Sequence, residues 1–200
     1  MPAPEHGHGH GHGHPGTGPV ADASVRGAGP NDAPAVGRVQ AAVFRDAYAR
    51  RLPEDVLALF EPDAFARAWR ESLAHPPPGV HRLLVALAGA QVVGALAVGP
   101  SQDPDADPAW AEVTLLAVHP DARRQGHGSR LLNASVDVLR EAGAEAVTAW
   151  LPADDEHTRG FLTASGFGPD GAYRDRVVSP DGATLREVRL LVRVGEPDEG

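Results

Sequence analysis

Apolar positions along the chain change their period several times, and each change marks a predicted element. From Val36 the spacing is helical, with Val36, Val39, Ala42, Val43, Ala47 and Tyr48 on one stripe. That stripe predicts a helix capped by Asn31 or Asp32 and running to about Arg51, with a short strand before it over 21–27. Pro53 opens a second, short helix to Phe60. Asp63 opens a third, to about Ala74, in which Phe65, Trp69 and Leu73 recur at core spacing. The run His75-Pro76-Pro77-Pro78-Gly79 stops it. Two apolar runs follow, His81–Ala88 and Gln91–Val98, joined by Gly89-Ala90, and read as a β-hairpin.

From Ala111 the pattern switches twice more. Val113, Leu115 and Ala117 alternate with Glu112, Thr114, Leu116 and Val118, which predicts a strand with those two faces. His119-Pro120-Asp121 breaks it, since proline lacks an N–H and restricts the residue before it. After the turn Arg123-Arg124-Gln125-Gly126-His127-Gly128, the inward positions Leu131, Leu132, Ser135, Val136 and Leu139 predict a helix to about Ala142, stopped by Gly143. A strand over Ala146–Leu151 comes next, whose ladder Pro152 is expected to end. Asp154 or Asp155 caps a helix to Ala164, closed by Ser165-Gly166, and Phe167 returns to the core. A last hairpin pairs Ala172–Val178 with Thr184–Val194 around Ser179-Pro180-Asp181-Gly182. The order predicts one mixed α/β domain over residues 20–195, built on a single central sheet.

Composition narrows what such a domain does. With 200 residues and 42% hydrophobic content the chain suffices for one core. A net charge of −9 without a basic run argues against a nucleic-acid partner and mildly favours cationic ones. No cysteine is present, so disulfides, thiolate metal sites and a cysteine nucleophile are excluded. No apolar run approaches the roughly 18 residues of a membrane span, and no signal peptide is evident; a cytoplasmic location is expected. Residues 1–19 alternate histidine with glycine at His6, His8, His10, His12 and His14 and read as a disordered tail. Such imidazoles bind zinc, nickel or copper; a solvated tail, a tag-like segment and a metal-handling device all remain open. Residues 196–200 read as a frayed acidic end. The loop Gly99–Pro108 carries Asp103, Asp105 and Asp107, but its prolines and missing glycine and glutamate argue against a calcium site, so it reads as solvated.

Strand, basic glycine-rich turn and helix N-terminus together form an anion cradle. No lysine follows the glycines, as a nucleotide-triphosphate loop requires, and the third glycine of a dinucleotide fingerprint is missing. What remains, V-x-P-x-x-R-R-Q-G-x-G-x-x-L-L, resembles the acyl-CoA-binding motif of the GCN5-related N-acetyltransferase (GNAT) superfamily, with Arg123, Gly126 and Gly128 in its set positions. The resemblance extends over about residues 20–194 and is most specific from Glu112 to Phe167. It implies a mostly antiparallel sheet with a splayed parallel strand pair, flanked by helices, and acetyl-CoA as co-substrate. It implies main-chain contacts to the pantetheine arm from Leu116, Ala117 and Val118. The pyrophosphate would lie over Arg124, Gln125, Gly126, His127, Gly128 and Ser129, with Arg123 or Arg124 on phosphate and Asp155 near the pantetheine. No metal ligand is implied.

The implied reaction is attack by a primary amine on an acyl thioester, which needs a base because such amines are protonated near neutrality. Glu112 is the candidate. It matches the glutamate of the family's histone acetyltransferase branch, and its side chain is expected on the face of Leu116 and Val118. The family's usual acid, a tyrosine, is replaced by Leu162 beside Phe161, and Tyr173, Ser165, His157 or water could substitute. His127 is expected to face solvent or the adenine-side phosphate. An N-acetyltransferase is therefore expected. A non-catalytic acyl-CoA-binding regulator and a metal-handling protein are the alternatives, and the acceptor and any homodimer are left open.

Overall fold

The computed structural model describes residues 23–195. The expectations for residues 1–19 and 196–200, including metal binding by the histidine-rich segment, lie outside the described residues.

A seven-stranded sheet in the order β1-β2-β3-β4-β5-β7-β6 carries the fold. Its strands are β1 (Ala23–Gly27), β2 (Arg82–Ala88), β3 (Gln91–Pro100), β4 (Trp110–Val118), β5 (Ala146–Pro152), β6 (Gly168–Val177) and β7 (Thr184–Arg193). All neighbouring pairs are antiparallel except β4 with β5. The helices are α1 (Ala33–Tyr48), α2 (Glu54–Ala58), α3 (Pro62–Ala74), α4 (His127–Glu141) and α5 (Glu156–Ala164). The expected mixed α/β fold on one central sheet is the observed one, with the elements in the expected order.

Two apolar clusters flank the sheet. On one face Leu131, Leu132 and Leu139 of α4 pack with Leu96, Val113, Val147 and Leu190. On the other, Val36 and Val39 of α1 pack with Leu83, Val85, Ala95, Leu115 and Ala117, with Trp69 and Leu73 of α3 against them. Buried aliphatic side chains of this size stabilise by about 1.5–3 kcal/mol each, so the clusters hold the helices where the sheet needs them. Helices α4 and α5 both stop by the same device. Gly143 and Gly166 adopt left-handed φ of 81° and 93°. In each case the next N–H returns to the carbonyl of the third-last helical residue, Ala144 to Leu139 at 2.9 Å and Phe167 to Leu162 at 3.1 Å.

Three local expectations are corrected. Asp32 precedes α1 but makes no side-chain cap; its carboxylate instead accepts from the Gly29 N–H at 2.8 Å and pairs with Arg26. Pro152 is itself the last residue of the β5 ladder, opposite Glu187, and not the first residue beyond it. The next N–H, of Ala153, bonds Arg186 C=O at 2.9 Å, so the Pro152 nitrogen faces away from β7 and its missing N–H costs that ladder nothing. Finally, the expected exposed loop begins only at Ser101, since Gly99 and Pro100 belong to β3, and within this mostly exposed segment Asp103 keeps only 9% side-chain exposure.

Candidate functional site

Strands β4 and β5 pair over four residues only, from Trp110 opposite Ala146 to Val113 opposite Ala149. Beyond Val113, β4 continues to Val118 against β3, and beyond Ala149, β5 continues to Pro152 against β7. The two strands therefore part, leaving the facing edges of 114–118 and 150–152 without a shared ladder. A parallel pair tolerates this because each strand keeps its antiparallel neighbour on the other side.

The parting opens into a cleft of about 970 Å³. Its floor and walls include Leu116, Val118, Arg123, Arg124, Gly126, His127, Gly128 and Ser129 from β4 and the turn, Asp155, His157, Thr158 and Phe161 from α5 and its approach, and Val43, Asp46, Ala47 and Ala49–Arg51 from the end of α1. Of the residues expected at the cofactor, Leu116, Val118, Arg123, Arg124, Gly126, His127, Gly128, Ser129 and Asp155 are lining residues. Ala117 is not: its side chain belongs to the apolar cluster on the opposite face. Gln125 is also absent, its amide turned back to donate to Asp121 C=O at 3.3 Å.

The turn has the geometry of an anion cradle. Gly126 sits at φ 79° before α4, and Arg124 adopts φ 62°, a left-handed conformation that ordinary residues rarely take. The first helical bond runs from the Arg130 N–H to Gly126 C=O at 3.1 Å, so the N–H groups of His127, Gly128 and Ser129 precede it and point out of the helix end. At Gly128 a Cβ would stand 3.4 Å from Phe161 and 3.8 Å from Val118, ordinary contact that leaves room for a methyl group but little more. The backbone donors, the positive helix end and the absence of a Cβ suit a pyrophosphate.

Several side chains are placed differently from expectation. His127 is buried at 3% exposure rather than turned to solvent; burial first, then Arg130, lowers its pKa and favours the neutral ring. Arg123 is held by Asp46 of α1 at 2.7 Å, on the cleft wall. Asp155 caps α5, one of the two caps expected, accepting from the N–H and the hydroxyl of Thr158 at 3.0 and 2.9 Å. Leu162 is buried at 2% and Tyr173 stands 65% exposed on the edge strand β6.

Glu112 lies on the other face of the sheet from Leu116 and Val118. The register of β3 and β4 slips between Ala97 opposite Leu115 and Val98 opposite Val113, leaving Thr114 as the extra residue of a β-bulge. The bulge breaks the strict alternation read from sequence. Val113 and Leu116 both reach the α4 side, while Glu112, opposite Gly99, joins Leu115 and Ala117 on the α1 side. Glu112 is half-buried, and burial is the main reason its pKa is raised. Asp103 pushes the same way, against Arg174, the Gln102 amide and Arg176.

On this face β5 and β7 give no residue to the apolar cluster. They carry instead Thr148, Trp150, Glu187 and Arg189, of which Thr148, Glu187 and Arg189 are buried. Arg189 uses its whole guanidinium, bonding Asp170 at 2.7 Å, Asp103 at 3.1 Å and Asp105 at 2.9 and 2.7 Å. Trp150 donates to Asp103 at 2.9 Å, and Arg174 lies 4.1 Å over the Trp150 ring while pairing with Glu187 at 2.7 Å. Sequence reasoning missed this group entirely.

Comparison with known proteins gives three findings. The model of the acetyltransferase (GNAT) family matches residues 43–167. No curated protein matches the chain. Among solved structures, the PaiA N-acetyltransferase of Thermoplasma acidophilum in complex with coenzyme A is 14% identical, with a TM-score of 0.66 over 84% of this chain and 98% of that one. A ribosomal-protein-alanine N-acetyltransferase from Brucella melitensis is 22% identical, TM-score 0.63, over 85% and 99%. The ribosomal-protein-S18-alanine N-acetyltransferase of Escherichia coli is 16% identical, TM-score 0.62, over 89% and 97%. At these identities the likeness shows the fold.

Proposed function

The chain belongs to the acetyltransferase (GNAT) family, and we propose that it transfers an acyl group, acetyl foremost, from acyl-CoA to a primary amine. The observation that carries this reading is the coincidence of two features in one cleft: the parting of β4 and β5 after Val113, and the glycine turn at the start of α4. The first offers unpaired backbone to an extended amide-bearing arm; the second offers N–H groups to a pyrophosphate. The solved relative with coenzyme A bound supports the same assignment.

In this reading Leu116 and Val118 flank the pantetheine arm, and backbone of Ala117 faces it. The N–H groups of Gly126 to Ser129 hold the pyrophosphate, with Arg123 and Arg124 adding charge. Asp155 keeps the α5 wall in place by its cap. Glu112 takes the amine's proton, directly or through water, from the α1 side of the sheet. Its burial suits this, because a carboxylate with a raised pKa is a stronger base near neutral pH. Among the described residues no helix is long and apolar enough to cross a membrane, and we place the enzyme in the cytoplasm.

The test is incubation of the full chain with acetyl-CoA and a panel of amines, read by release of free thiol. Amine-dependent release is expected. Binding of coenzyme A without release on any amine would leave the regulatory-binder reading instead.

A further inference from the structure

On the α1 side of the sheet, where Glu112 lies, a second cavity of about 190 Å³ sits between α3 and the strands. Its apolar wall is Trp69 and Leu73 of α3 against Leu83 of β2 and Ala97 of β3, all members of the cluster on that face. Trp69 is held there by its indole N–H, which donates to the Gln40 side chain at 2.6 Å. The β4 side of the cavity is Thr114, the bulge residue and the first beyond the pairing of β4 with β5. The cavity thus meets β4 at the level where the two strands part. A cofactor with its pyrophosphate on the turn after Val118 and its arm along 118–116 would deliver the thioester at that level.

The polar end of the cavity is His81, just before β2. Its ring takes the place of a Gly99 side chain, since a Cβ on Gly99 would stand 2.9 Å from Nδ1 and 3.0 Å from Cε1. Gly99 is directly opposite Glu112 across the β3–β4 pair. Side chains so placed share a face, with Cβ atoms about 4.5–5.5 Å apart. The imidazole and the carboxylate are therefore neighbours in one row across the sheet. Nε2 lies 3.2 Å from Pro78 C=O, which can only accept. In the neutral ring the hydrogen is then on Nε2, and Nδ1 keeps a lone pair that no hydrogen bond engages among the described residues.

We propose that this cavity is the side-group pocket for the acceptor, a monoamine with a short apolar side group. The inference rests on the acyltransferase reading above. The amine nitrogen donates to His81 Nδ1 beside Glu112, and the side group fills the space between Trp69, Leu73, Leu83 and Ala97. An apolar cavity of about 150 Å³ accepts benzene, so this one takes a group of about four to six carbons. No carboxylate lines it, so a second ammonium would enter unpaired.

The experiment uses the full chain and follows thiol release with ethylamine, isobutylamine and isopentylamine, and with a diamine and a carboxylate-bearing amine of matching length. With the wild type, kcat/KM is expected to rise about tenfold or more per added carbon, and to fall for the two doubly charged amines. Ser72→Leu fills the cavity from α3 and is expected to lower the isopentylamine-to-ethylamine ratio of kcat/KM by about tenfold or more. Leu73→Ala is expected to shift the optimum to longer amines. His81→Phe keeps a ring over Gly99 without the lone pair and is expected to raise KM about tenfold for every amine, leaving the ratio as it is. Coenzyme A affinity, expected to be unchanged in all three, reports that they fold. A flat amine profile, a preference for either doubly charged amine, or a ratio unmoved in both α3 variants would overturn the proposal while leaving the enzyme an acyltransferase. An unmoved KM in His81→Phe would overturn the place given to the amine nitrogen. No thiol release by the wild type on any amine would overturn the acyltransferase reading itself, and the pocket with it.

Discussion

The two sides of the sheet around β4 and β5 solve opposite problems. The cleft beside α4 is made largely of backbone: strand edges that have parted, a glycine turn, a helix end with N–H groups unused by the helix. The face beside Glu112 is made of side chains that leave little unsatisfied, with Arg189 bound to three aspartates and Glu187 to two arginines. A site for a long, invariant cofactor is served by main chain, since every residue carries the same donors and acceptors. A site that must select and deprotonate one acceptor is served by side chains, whose identity and pKa the protein can set.

The sharpest way to break this comparison is Glu112→Gln. It is expected to lower kcat/KM by about 10²–10⁴-fold and to remove the acid limb of the pH profile. That limb is expected above the ordinary glutamate range, since the base works ionised and its pKa is raised. Stability gives an independent check on the same group. A folded-state pKa raised above the unfolded value favours folding while the group is protonated, and the gain is lost as pH rises through the folded pKa. Glu112→Gln is therefore expected to be more stable relative to wild type at pH 8 than at pH 4. Unchanged turnover would remove Glu112 as the base.

Arg189→Ala should act on stability. It leaves Asp103, at 9% side-chain exposure, with only the Trp150 N–H and the more distant Arg174, and removing one partner of a buried ion pair costs about 3–5 kcal/mol. Chemical denaturation measures it; a loss near zero would make the group an ordinary surface network. On the cleft side, Gly128→Val should overpack against Phe161 and Val118, costing about 1–3 kcal/mol and weakening coenzyme A binding in calorimetry, whereas Gly128→Ala should be tolerated. Smallest is Arg123→Ala. Its guanidinium is partly spent on Asp46, so a loss of affinity of about tenfold or less is expected for one charge-assisted contact. A larger loss would mean that side chains, not backbone, hold the pyrophosphate.

Much of this was legible from local pattern. Helical spacing placed α1, α3 and α4, and glycine after the last inward residue marked the ends of α4 and α5, because a helix is decided by residues within a few positions of one another. The turn from Arg123 to Ser129 was legible for the same reason: its glycines, the proline before it and the helix after it are contiguous.

Tertiary structure alone decided the rest. The alternation in β4 put Glu112 on the face of Leu116, but the bulge at Thr114 comes from how β4 pairs with β3, which no period within β4 encodes. Asp103 looked like a residue of a solvated loop until Arg189, far along the chain, was found bonded to it. Sequence by itself determined the backbone devices, since those depend on neighbours in the chain. Which charges meet, and therefore which are buried and how they titrate, depends on neighbours in space, and only the folded sheet brings them together.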